Sequence, residues 1–202
     1  MQSRTGGEIL VASLLAQDVT HLFGVPGESF LPVLDALAKR APDLDLMIRT
    51  ALPEAVVAQR VGVPFGYVQA PSDCNFVMHD ALRVDLPASL AAYRAFHADW
   101  AARVDAEAET LQRLGVNLVF SDVGYLPLAA AQRAGIVNVA LCSLNWADIF
   151  AHYLGRAQGA ETILAAMRRA YAGADAFLRP EPAMPMADLG NGMAIPTIAQ
   201  AG

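Results

Sequence analysis

Three short stretches place reactive or hydrogen-bonding side chains at the ends of predicted strands. Ser121 and Asp122 close a strand predicted over 118–121. Asn145, Trp146 and Asp148 follow one predicted over 137–142, and Arg49 and Thr50 end one predicted over 44–49. An aspartate and an asparagine in such places can hydrogen-bond hydroxyl groups, and an indole can stack on the flat face of a sugar ring. Each residue also has an ordinary structural reading. Asp122 would cap a turn, Asn145 would cap a short helix over 146–153, and Trp146 would fill core. Gly24, Gly27 and Glu28 form a second kind of candidate, a strand-to-helix loop spanning 24–29. Its glycines allow a tight turn, and the helix start behind it suits an anion. Glu28 already supplies negative charge there, which favours the helix dipole and repels phosphate, so a plain turn competes with a ligand loop. His79 and Asp80, near Asp85, are weaker candidates for acid–base work, since they lie in an irregular stretch over 70–86.

The elements that must position these residues alternate. The pattern predicts helices over 7–17 and 28–39, a short one after Pro53, a long one over 87–114, and further ones over 127–133 and 161–172. Strands fall over 19–23, 44–49, 65–68, 118–121 and 137–142, with a short sixth over 176–178. In the first helix Ile9, Leu10, Ala12, Leu14 and Leu15 form the expected core side. Gly115 and Gly135 stand where helices should stop. Such alternation predicts an α/β fold, a Rossmann-like three-layer domain with a mostly parallel sheet. Ligands then bind beyond the carboxyl ends of the strands, where strand order reverses. One domain is expected over 1–178, and the Pro-, Met- and Gly-rich 179–202 reads as a tail or linker.

Composition narrows the function. The 202 residues carry a net charge of −6, and the 14 basic residues are scattered rather than striped, which argues against nucleic acid as a partner. No apolar run is long enough for a membrane span, and no signal peptide is legible. Cys74 and Cys142 are expected as buried thiols of a cytoplasmic protein, and the four histidines share no metal-ligand spacing, so no metal site is expected.

Residues 4–37 read RTGGEILVASLLAQDVTHLFGVPGESFLPVLDAL. This closely resembles the start of thiamine-diphosphate-dependent enzymes of the acetolactate synthase type. The resemblance implies the domain that binds the pyrimidine ring of thiamine diphosphate, with magnesium held by a later domain. In that family a glutamate after the second strand activates the cofactor. Here Leu52 takes its place and Glu54 falls two residues late. The GDG motif that holds diphosphate and magnesium does not occur in the sequence, so no cofactor is established.

From residue 41 onward a second resemblance runs. FVMHDALRVDLPASLAAYRAFHADW and LVFSDVGYLPLAAAQRAGIVNVALCSLNWADIFAHY are similar to the amino-terminal Rossmann half of glycosyltransferase-like proteins of the GT-B, arabinokinase-related kind. It implies a sugar or nucleotide-sugar ligand, with a second domain or a homo-oligomer needed to complete the site. The family's GHGxGH loop is replaced by GVPGES. The chain therefore reads as chimeric, with segments 1–38 and 41–178 sharing one domain, and as weakly active or inactive alone. A fragment of a thiamine-diphosphate enzyme and a non-catalytic binding domain are the alternatives.

Overall fold

A computed structural model describes residues 5–25, 31–41, 43–59 and 61–197. Its centre is a seven-stranded sheet in the order β3-β2-β1-β4-β5-β6-β7, and every pairing in it is parallel. The strands are β1 (His21–Val25), β2 (Asp45–Thr50), β3 (Gly66–Gln69), β4 (Leu118–Ser121), β5 (Val137–Leu141), β6 (Ala176–Pro180) and β7 (Gly192–Ile195). Helices α1 (Gly6–Ala16), α2 (Leu31–Arg40) and α3 (Glu54–Ala58) lie on one face. Helices α4 (Leu86–His97), α5 (Trp100–Arg113), α6 (Tyr125–Ala134), α7 (Trp146–Leu154) and α8 (Ala160–Ala172) lie on the other.

Alternation along the strands makes this division. Leu22, Phe120 and Leu141 pack with Val11, Val33, Leu37 and Val57 of α1 to α3. Their neighbours Phe23 and Val119 pack with Ala108, Leu111, Ala130 and Ala131 of α5 and α6, while Ala140 joins Phe150, Met167 and Tyr171. Successive side chains of a strand face opposite ways, so strands covered on both faces read as near-continuous apolar runs.

The amino-terminal segment is part of this sheet. β1 stands between β2 and β4. Helix α1 begins with a capping box, in which Thr5 Oγ1 accepts from Glu8 N–H and Glu8 accepts from Thr5 N–H. The same Glu8 carboxylate bonds Arg40 at 2.7 Å, tying α1 to the end of α2. The Thr5 N–H and then Arg40 hold the Glu8 carboxyl below its ordinary value.

Three expectations are corrected. In α1 the expected core side is turned: Val11 is buried, while Ile9 and Leu15 are 54% and 42% exposed. The helix is apolar nearly all round, so its sequence does not specify a face. The single helix expected over 87–114 is two helices. Asp99 leaves the helical region at φ −117°, ψ 44°, and a second helix starts at Trp100. The region expected as a tail supplies β7, which pairs with β6 through Phe177–Gly192 to Pro180–Ile195. Four residues including a glycine carry too little periodicity to be read as a strand. Gly115 and Gly135 do stop α5 and α6, at φ +65° and +70°, a region glycine enters at little cost.

Candidate functional site

Chain connections diverge at β1 and β4. From β1 they proceed through α2 to β2, and from β4 through α6 to β5, on the opposite face. In sheets of this kind such a divergence marks the usual ligand position, at the carboxyl edge. Gly27 and Glu28 lie outside the described residues. Gly24, expected to open the crevice loop, is instead buried within β1 between Ile48 and Phe120.

On the β4 side the loop is tightly determined. Ser121 is fully buried, and its Oγ donates to the Gly124 carbonyl at 2.7 Å. Between them Val123 adopts φ +62°, strained for a β-branched residue. The Val123 carbonyl accepts from the Tyr171 hydroxyl at 2.7 Å, and that hydroxyl accepts from the Trp146 N–H at 3.3 Å. One phenol from α8 therefore fixes the loop after β4 to the first residue of α7. Asp122 is buried, and its N–H donates to the Val25 carbonyl at 2.9 Å, linking the ends of β4 and β1. Burial and then the Asp122 charge push the Cys142 thiol up to about 12.

The loop after β5 is equally ordered. Asn145 is buried and caps α7, its Oδ1 accepting from Asp148 N–H at 2.7 Å and its amide donating to the Asp148 carboxylate at 2.9 Å. Trp146 is half-buried rather than core. Its indole N–H donates to Asp73 Oδ2 at 2.7 Å. Burial raises the Asp73 carboxyl above its ordinary value, opposed by the Trp146 bond. Leu126 N–H donates to Ser72 carbonyl, so the loops after β3 and β4 are joined as well. The structure thus brings together Ser121, Asp122, Asn145, Trp146 and Asp148. It adds Asp73 and Tyr171, which sequence spacing did not select. Asp73 lay visibly among the polar residues of the 70–86 stretch, whereas nothing on α8 marked Tyr171.

Other candidates are placed elsewhere. Arg49 is buried on the α5 face in an ion pair with Glu107, and its Nη2 donates to the Pro71 carbonyl at 2.9 Å. Thr50 Oγ1 accepts from Leu52 N–H as the strand ends. His79 and Asp80 belong to an exposed turn closed by the Met78–Val84 bridge. Asp80 accepts from the Leu82 and Arg83 N–H groups and pairs with Arg83, while His79 stands 3.7 Å from Asp85. Turn chemistry accounts for this pair, and its residues are bonded to one another rather than to the crevice network.

Cavities distinguish the two edges of the sheet. One, about 490 Å³, lies at the amino ends of the strands among His21, Asp45, Leu46 and Gly66, away from the polar network. Another, about 460 Å³, lies at the carboxyl ends of β5 and β6. It is lined by Asp148, Ile149, His152 and Tyr153 of α7 and by 184–188 of the β6–β7 loop. Met186 in that loop takes φ +43°, and the Met184 N–H donates to Ser143 carbonyl at 2.8 Å. This size suits a small molecule, and Asp148 connects it to the Asn145 cap. Among the described residues no group of three or more metal-ligating side chains converges, and no helix is long and apolar enough to cross a membrane.

No family model matches the chain. Over 57 residues, 28% of the chain, it is 40% identical to the acetolactate synthase of Bacillus subtilis (strain 168), of which that segment covers 10%. Its fold is similar to the spinosyn forosaminyltransferase SpnP, with a TM-score of 0.48, 17% identity, and coverage of 91% of this chain and 52% of that one. It is also similar to MurG of Acinetobacter baumannii (TM-score 0.44, 14% identity, 90% and 47% covered). A third likeness is to the Arabidopsis thaliana UGT89C1 complexed with quercetin (TM-score 0.45, 12% identity, 81% and 44% covered). The chain spans about half the length of these solved structures and a tenth of the curated relative.

Proposed function

We propose that the chain is a Rossmann half of a sugar-transferring protein, of the arabinokinase-related kind its residues 41–202 resemble, and that it holds a sugar or nucleotide-sugar ligand at the carboxyl edge of β5 and β6. The observation that carries this reading is the joining of a rigid polar edge to a cavity of suitable size. Asn145 fixes Asp148, and Asp148 lines the cavity of about 460 Å³ beside an exposed aromatic ring, Tyr153. A carboxylate and an imidazole, Asp148 and His152, offer hydrogen bonds to hydroxyls, and Tyr153 offers a flat apolar face. Asp73, held in its proton-bearing form to higher pH by burial, braces Trp146 above the same edge. Turnover by this chain alone is expected to be weak or nil, because a transferring site of this kind is completed by a second domain or a second copy.

The matched acetolactate synthase segment favours a second reading, a thiamine-diphosphate enzyme fragment. The residues do not fit that cofactor. Leu52 stands where the activating glutamate is required and is half exposed, and Glu54 is an exposed residue opening α3. No carboxylate is supplied at the required place after β2, so no chemical step through thiamine follows. Calorimetric titration separates the readings. Heat with nucleotide sugars, reduced at least tenfold in affinity by Asp148→Ala, is expected. Heat only with thiamine diphosphate plus magnesium would favour the second reading, and silence with both would favour a non-catalytic binding domain.

A further inference from the structure

A separate cavity, of about 430 Å³, opens beside the end of β2. It is lined by Arg49, by Asp99 just before α5, by Ala102, Arg103 and Glu107 along α5, and by Leu126 at the start of α6. Its inner wall is an ion pair withdrawn from water: the Arg49 and Glu107 side chains are 8% and 6% exposed. The pair is incompletely satisfied. Arg49 spends Nη1 on Glu107 Oε2 and Nη2 on the Pro71 carbonyl, which leaves Nε–H without an acceptor. Glu107 Oε1 has no donor, and the neighbouring Arg103 Nε–H has no acceptor. Arg103 is held over the Phe96 ring, its guanidinium carbon 4.7 Å from the ring centroid, and this is a contact a side chain can leave.

Unsatisfied donors and an unsatisfied carboxylate acceptor in one wall define a ligand chemistry. A simple anion would answer the guanidinium donors and leave Glu107 Oε1 facing more negative charge. A simple cation would do the reverse. A hydroxyl both donates and accepts, so adjacent hydroxyls on one ring can answer both sets of groups together. The lining balances two arginines against Glu107 and Asp99, which also favours a neutral ligand. We infer that this cavity is a polyol-binding subsite, taking a neutral carbohydrate ring or similar vicinal diol. Arg103 swings from Phe96 to admit it to Glu107 and Arg49. The inference goes beyond the crevice reading and uses neither Asp148 nor the cavity that Asp148 lines.

Amide NMR of the full chain tests it, with methyl glycosides and trans-1,2-cyclohexanediol as probes and cyclohexanol and inorganic phosphate as controls. Saturable shifts are expected at the amides of 102–107 and 126 with the diol-bearing probes, at least tenfold weaker with cyclohexanol. Ala102→Trp fills the cavity mouth without touching the ion pair and should abolish them. Glu107→Gln should abolish them too, and Ala102→Trp keeps the test sound should that variant unfold. Shifts that survive Ala102→Trp, that appear with phosphate instead, or that are absent at these amides for every probe would overturn the inference. Nucleotide-sugar binding by Ala102→Trp reports on the crevice separately, so either idea can fail alone.

Discussion

The β1–β2–β3 side of the sheet and the β4–β5–β6 side end differently at the same carboxyl edge. On the first side β2 turns away through a Thr50–Leu52 bond, Arg49 faces inward to Glu107, and Leu52 and Glu54 stand in solvent. On the second side the strand ends run into a connected polar network, Ser121–Gly124, Val123–Tyr171–Trp146 and Trp146–Asp73, with a strained residue held in the middle. The first side therefore mainly completes the core. The second side is where the fold spends backbone strain and buried polar groups, and such expenditure concentrates at functional sites. Arg49 and Glu107 form the one buried ion pair among the described residues that joins the two sides.

That joint gives the largest expected effect. Glu107→Ala strands the Arg49 charge in the interior and should cost about 3–5 kcal/mol in urea unfolding. The double variant Arg49→Met with Glu107→Leu should recover most of it. A small loss in Glu107→Ala would show that the sides stand independently. Next, Tyr171→Phe leaves the Val123 carbonyl and the Trp146 N–H unbonded and should cost roughly 1–3 kcal/mol, with a shift in tryptophan fluorescence. An unchanged spectrum would show that the phenol does not organise the edge.

Val11→Ala tests the first side. It removes the one fully buried apolar side chain of α1, two methyl groups at about 0.8 kcal/mol each, so thermal unfolding should report a loss of about 2 kcal/mol. No loss would show that α1 is dispensable to the sheet.

A pH-dependent effect concerns the thiols. Burial pushes Cys74 up to about 11 and Cys142 up to about 12. In the unfolded chain thiols ionise near about 8.5, so above that pH the unfolded state gains stability that the folded state does not share. The thiol contribution to stability is full below about pH 8.5 and falls as pH rises toward 11. Urea midpoints should therefore drop less between about pH 8 and pH 10 in Cys74→Ala/Cys142→Ala than in the unchanged chain. Equal slopes would place the thiols in contact with water.

Much of the fold was legible before any coordinates. Strand β4 falls on its expected residues, Gly115 and Gly135 close their helices, and Asn145 caps α7 as one of its two readings held. These features rest on local chemistry: apolar runs, left-handed glycines and a cap three residues from its donor. The division of α4 from α5 at Asp99 was not legible, because Phe96, Trp100 and Val104 keep an apolar spacing of four residues across it. Strand β7 was hidden by its shortness.

The sequence by itself determined which residues could end strands and offer hydrogen bonds, since burial pattern and turn chemistry act over a few residues. Only the tertiary structure decided which of them share a site. Asp73 reaches Trp146 across 73 positions, Tyr171 reaches Val123 across 48, and Arg49 is drawn to Glu107 across 58. Pairing over such distances follows from strand order and helix packing, which bring remote segments within hydrogen-bonding range, and local pattern carries no record of it.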